Sequence, residues 1–117
     1  MDLRQVTKAF ALKIVNLYSA LPKSTEAQVL GKQVLRSGTS IGAHYREALR
    51  SRSDAEYISK LETGLQELEE TLYWLELLSE LRMIDSVRFQ DLQKQADELI
   101  AVLVACVKTA KSRKKQR

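Results

Sequence analysis

The sequence predicts an all-α fold, a bundle of four helices, and three observations carry that prediction. Apolar residues recur at spacings of three and four through four separate segments. The 117 residues include one Pro and four Gly, so the two strongest helix breakers are scarce. Ser, Thr or Asp stands at the start of the later segments, where a side-chain oxygen can satisfy an orphan helix amide. With 44% hydrophobic and 29% charged residues the composition fits one folded domain. A chain of this length buries about two-thirds of its extended surface in one core.

The first helix is expected over residues 3–21, where Val6, Phe10, Ile14 (or Val15), Tyr18 and Leu21 repeat at helical spacing, and Pro22 ends it. Residues 22–24 link it to a second helix, for which Thr25 with Gln28 forms a capping box. That helix is expected to reach about residue 51. A second box, Ser53 with Glu56, opens the third helix near residue 54. Ile58, Leu61, Leu65, Leu68, Leu72 and Leu75 then form an unbroken seam of the kind that packs at a shallow angle, and Tyr57, Gly64, Thr71 and Leu78 widen it into a second contact line. A turn at residues 83–85 leads to the fourth helix, capped by Asp85 or Ser86, with Phe89, Leu92, Ala96, Leu99, Leu103 and Val107 in register. Residues 99–107 are apolar all round, so more than one side must be covered. The bundle is assigned to residues 1–110, and residues 111–117 read as a basic, frayed or disordered C-terminal tail.

The second helix is the most informative element. Placed at 100° per residue, Lys32, Arg36, Arg46 and Arg50 fall within about 40° of one line, whereas Leu30, Val34, Gly38, Ile41, Tyr45 and Ala48 fall on the far side. No acidic residue shares the basic line, which runs for about 27 Å at a rise of about 1.5 Å per residue. Gly31, Gly38 and Gly42 lie along one edge of the apolar face. Each costs about 1 kcal/mol relative to Ala inside a helix. Their expected role is close helix packing or assembly. Tyr73 and Trp74 read as core or interface anchors.

The net charge of +4 hides a sharper division. Residues 1–53 hold nine Lys/Arg against three Asp/Glu, residues 54–85 two against nine, and residues 86–117 eight against three. The third helix is therefore acidic between basic neighbours. The tail, with Lys108, Lys111, Arg113, Lys114, Lys115 and Arg117, adds to the stripe a second set of cations able to release counterions from a polyanion. The same composition also suits a tail that only keeps the chain solvated. No interleaved aromatic platform of the single-strand-binding kind is present.

Several chemistries are disfavoured. One cysteine, Cys106, makes no internal disulfide, and a reducing cytoplasmic setting is the default. The N-terminus lacks a signal-peptide core, and the apolar run at 99–107 is too short to span a bilayer, so no membrane association is expected. His44 is the only histidine and reads as a hydrogen-bonding boundary residue. Glu67, Glu69, Glu70 and Glu76 lack the Glu-x-x-His pairs of a di-metal bundle and read as a solvated face. No cofactor, metal site or enzymatic activity is expected.

The strings GTSIGAHYREA (38–48), SRSDAEYISKL (51–61) and ETLYWLELL (70–78), in this order and spacing, resemble the four-helix-bundle family of proteins encoded in intervening sequences of bacterial 23S ribosomal RNA genes, also called S23 ribosomal proteins. His44 stands where that family usually has Asn. The resemblance implies an antiparallel up-down-up-down bundle assembling as a ring-shaped homopentamer, with no established enzymatic activity. The accessory protein of diversity-generating retroelements is similar and binds nucleic acid and a reverse transcriptase through basic surface.

Two functions follow as expectations. In the first, the chain is a non-enzymatic bundle that binds RNA or DNA phosphates, weakly sequence-specific, through Lys32, Arg36, Arg46 and Arg50 with Lys111, Arg113, Lys114 and Lys115 as accessory contacts. In the second, the same face makes it a protein-interaction scaffold docking a polymerase or reverse-transcriptase-like partner.

Overall fold

The computed structural model describes residues 1–116 and contains four α-helices: α1 (Leu3–Ser19), α2 (Thr25–Leu49), α3 (Asp54–Glu80) and α4 (Ser86–Lys115). Arg117, counted above with the basic tail, lies outside the described residues. No strand occurs among the described residues, and no helix there is long and apolar enough to cross a membrane.

Links of four or five residues turn the chain back on itself, and the cross-helix contacts show that consecutive helices run antiparallel. Along α1 and α2, Leu21 meets Gly31, Ile14 meets Gly38 and Thr7 meets Gly42. Between α2 and α3, Ser37 bonds Thr71 and Glu47 pairs with Lys60. Glu62 pairs with Lys111 and Asp54 with Arg113 between α3 and α4. The seam between α1 and α4 is the loosest of the four and carries the Lys13–Asp91 pair at 3.0 Å. The result is a rod of about 53 × 21 × 21 Å.

Most of the expected core residues of α2 and α4 are buried, whereas Leu30, Tyr45 and Phe89 of the same lines are half-buried. Val34, Gly38, Ile41 and Ala48 of α2, and Leu92, Ala96, Leu99, Leu103 and Val107 of α4, are all buried. In α1, Ile14 and not Val15 faces inward, and Leu17, which the spacing passed over, is fully buried. The widened line of α3 faces α2: Gly64 lies beside Ile41 and His44, and the Thr71 hydroxyl donates to Ser37 Oγ at 2.8 Å. That buried hydroxyl pair satisfies both groups inside an otherwise apolar interface.

Four local expectations are corrected. Helix α1 ends at Ser19, because the amides of Ala20 and Leu21 close tight turns onto Leu17 and Tyr18 before the proline. Ser24, not Thr25, caps α2 by accepting from the Ala27 amide at 3.3 Å, while the Gln28 side chain accepts from Tyr18 and donates to the Pro22 carbonyl. Helix α2 closes at Leu49. The Ser53–Glu56 cap of α3 forms, with Ser53 Oγ accepting from the Glu56 amide at 3.1 Å, but the Glu56 carboxylate reaches back to the amide of Arg52 and not to that of Ser53.

The basic segment is not a frayed end. Helix α4 runs on to Lys115 because Ala110 is buried and the cations at 111 and 113 reach carboxylates on α3, while the last-turn charges oppose the helix dipole favourably.

Residues 99–107 are covered on the faces that hold Leu99, Leu103 and Val107. Ile100, Val102, Val104 and Cys106 are half-buried, and Ala101 and Ala105 stay exposed. Larger apolar groups also remain at the surface, among them Leu12, Leu81 and Val87.

Candidate nucleic-acid interface

The four cations of the α2 stripe are all exposed, as a helix anchored by Val34, Gly38 and Ile41 dictates for the opposite face. Their environments differ. The guanidinium of Arg36 forks between Glu67 and Glu70 of α3, each at 3.2 Å. These carboxylates stand one turn apart on α3, so both reach the planar fork. One cation of the stripe, Arg36, is therefore neutralised by α3. Lys32, Arg46 and Arg50 have no carboxylate partner among the described residues.

The end of α4 divides in the same way. Lys111 pairs with Glu62 at 3.3 Å and Arg113 with Asp54 at 3.3 Å, whereas Lys114 and Lys115 are exposed and unpaired among the described residues. Lys111, Lys114 and Lys115 rim an open groove of about 500 Å³ floored by Ala55 and Ile58. A second hollow, about 290 Å³, is lined by Leu49, Arg52, Asp54, Tyr57 and Arg113. The C-terminal end of α2, the following link, the first turn of α3 and the last turns of α4 thus meet in one place. Arg46 and Arg50 stand at this end, and Lys32 and Arg36 do not.

Beneath that surface the helices enclose a polar cluster. Tyr45 and Tyr57 are half-buried, and burial raises both phenol pKa values above the ordinary 10.0. For Tyr45 the neighbouring Tyr57, Cys106 and Asp2 push the same way and Arg4 opposes them. For Tyr57, Cys106 adds to the rise and Arg113 opposes it. Arg4 belongs to the same end, because α1 runs antiparallel to α2 with Thr7 against Gly42.

The three glycines of α2 pack within the chain against α1 and the link that follows it. A Cβ at Gly38 would sit 2.8 Å from Ile14 Cγ1, one at Gly42 2.9 Å from Thr7 Oγ1, and one at Gly31 2.6 Å from Leu21 Cδ1. The nearest atoms are side chain, and at Gly42 the backbone carbon of Thr7 also comes within 3.7 Å. Trp74 packs against the core with its Nε1 buried and without a hydrogen-bond partner among the described residues. Tyr73 is exposed and meets it edge to face at 5.1 Å. His44 sits at the boundary and bonds Glu47 at 3.1 Å.

Arg4 and Arg52 were missed by reading one helix at a time. The available signal was topological: in an antiparallel bundle the first half of one helix neighbours the second half of the next, so charges must be counted by bundle end.

The chain matches the family model of the 23S rRNA-intervening sequence protein over residues 1–105. Among solved structures it is similar to a protein of unknown function from the S23 ribosomal protein family of Bacteroides thetaiotaomicron. The two are 40% identical, the match covers 91% of this chain and 98% of that chain, and the TM-score is 0.86. No match is found among curated proteins. The family match spans all of α1, α2 and α3 and most of α4, and the similar structure has the same fold over nearly its whole length: the chain belongs to the family of 23S rRNA-intervening sequence proteins.

Proposed function

We propose that this protein is a non-enzymatic, cytoplasmic nucleic-acid-binding bundle that engages phosphates through the exposed cations of α2 and the end of α4. One observation carries the reading: Lys32, Arg46 and Arg50 stay without carboxylate partners although α3, rich in Asp and Glu, lies directly alongside α2. Exposed ion pairs contribute only about 0 to 1 kcal/mol each, so leaving these cations unpaired costs the fold little and keeps them available to a polyanion. Phosphates neutralised by such side chains release condensed counterions, which supplies affinity without base contacts.

The working form is a homo-oligomer, a ring-shaped homopentamer as the family resemblance implies, in which weak contacts add through effective concentration. Exposed Leu12, Leu81 and Val87 are apolar surface that subunit contacts can cover. Light scattering is expected to give five times the 13.3 kDa chain mass, and a monomer at micromolar concentration contradicts the assembly.

Anisotropy titrations with labelled RNA and DNA test the binding. The expected result is saturable binding at 50 mM salt that weakens steeply by 200 mM. Absence of binding at low salt, or binding indifferent to neutralising Lys32, Arg46, Arg50, Lys114 and Lys115 together, overturns the reading. A protein partner that co-purifies after nuclease treatment, with no nucleic acid bound, favours the scaffold function instead.

A further inference from the structure

The charge of the bundle is polarised along its long axis. When each helix is divided at its middle, residues 1–11, 38–66 and 101–116 form one end of the rod, and residues 12–37 and 67–100 form the other. The first end holds eleven Lys/Arg against five Asp/Glu, a net +6, and the second seven against ten, a net −3. The acidity of α3 lies mostly in its second half: five of its eight carboxylates, Glu67, Glu69, Glu70, Glu76 and Glu80, stand at its midpoint or beyond. This polarity gives the molecule one cationic pole.

At that pole Asp54 and Glu62 occupy Arg113 and Lys111, and Glu47 holds His44 and Lys60. Arg4, Arg46, Arg50, Arg52, Lys114 and Lys115 are exposed and have no carboxylate partner among the described residues. They come from α1, α2, the link that follows it and α4, so they are spread over more than one helix at this end of the rod.

The pole lacks the feature that single strands require. Its tyrosines, Tyr45 and Tyr57, are half-buried between helices. Among the described residues the exposed aromatic is Tyr73, nineteen residues along α3 from Asp54 and so about 28 Å from the pole at about 1.5 Å per residue. Binding of single strands relies on bases stacked on aromatic rings. A cluster of bare cations instead suits the denser phosphate array of a duplex, with one charge per about 1.7 Å of axis.

We infer that the cationic pole of the bundle is a site for the phosphate backbone of double-stranded nucleic acid, bound end-on and without sequence readout. The inference rests on the nucleic-acid reading above and narrows it to one end of the rod and one strand state. A pole 21 Å across spans about six base pairs at about 3.4 Å each, which sets the footprint of one subunit.

The test uses the full chain and anisotropy at 50 to 200 mM salt, with a labelled 12-base-pair RNA duplex, the matching DNA duplex and each single strand. Both duplexes are expected to bind at least tenfold tighter than their strands. Arg46→Glu with Arg50→Glu is expected to weaken duplex binding at least thirtyfold, and at least ten times as much as Lys32→Glu does. Lys114→Glu with Lys115→Glu, on the exposed last turn of α4 where misfolding is not an issue, is expected to lose at least tenfold. Lys23→Glu at the opposite end is expected to change nothing. Single strands binding as tightly as duplexes, or Lys32→Glu costing as much as the Arg46 and Arg50 pair, overturns the inference while leaving the nucleic-acid reading intact. Absence of all binding at 50 mM salt overturns both.

Discussion

Gly38 and Gly64 show how little separates a required glycine from a replaceable one. A methyl group at Gly38 would press to 2.8 and 2.9 Å on two carbons of Ile14, a side chain that is fully buried and cannot retreat. Gly38→Ala is expected to destabilise by about 1 to 2 kcal/mol, overpacking outweighing the gain in helix propensity. At Gly64 the nearest atoms to such a methyl are 3.9 Å away, ordinary contact. Gly64→Ala should therefore stabilise, by about 0.5 to 1 kcal/mol. Urea unfolding of both variants checks the pair, and equal effects contradict the packing described. Tyr45 and Tyr57 give a second prediction at this scale. Burial raises both phenol pKa values, so the folded state holds these protons to higher pH than the unfolded chain does. Their contribution is fully present below the ordinary value of 10.0 and is lost as pH rises through and beyond it. Melting temperature should fall more steeply between pH 9 and 11 in the wild type than in Tyr45→Phe with Tyr57→Phe.

At the scale of elements, the ends of the helices were less legible than their faces. The end of α3 is a Schellman closure: the Met83 amide donates to Leu78 O at 2.9 Å and the Arg82 amide to Ser79 O at 3.0 Å, with Arg82 at φ 60°. Glycine is the usual residue in that left-handed position, and an arginine there gives no warning in the sequence. Arg82→Gly should relieve the strain and raise stability by about 0.5 to 1 kcal/mol in thermal or urea melts, and a loss of stability contradicts it. The helix faces were legible because burial follows a period of 3.6 residues, as the α4 line from Leu92 to Val107 shows. The caps at Ser53 and Asp85 were legible for the same local reason. The helical state of residues 111–115 was not, because the groups that hold it, Glu62 and Asp54, lie about fifty and sixty residues earlier in the chain.

At the scale of the whole molecule, function turns on where charge accumulates once the helices alternate in direction. Counting along the chain isolates an acidic third helix. In the bundle that acidity falls mainly at one end and is partly spent on Arg36. The stripe on α2 was readable from the wheel, but the neutralisation of Arg36 alone among its four cations was not, since it depends on which part of α3 lies beside it. The carboxylates at the cationic pole act as internal competitors for a polyanion. Glu62→Gln frees Lys111 and is expected to tighten nucleic-acid binding and to steepen the salt slope by about 0.9, the increment for one more phosphate contact. A slope unchanged by that substitution contradicts a role for the α4 end. The central claim, that unpaired cations at this pole bind phosphates, is tested most directly by the slope of log K against log salt for a duplex and the full-length protein. Replacing Arg46 and Arg50 with Ala should make that slope shallower by about 1.8, and an unchanged slope contradicts the account.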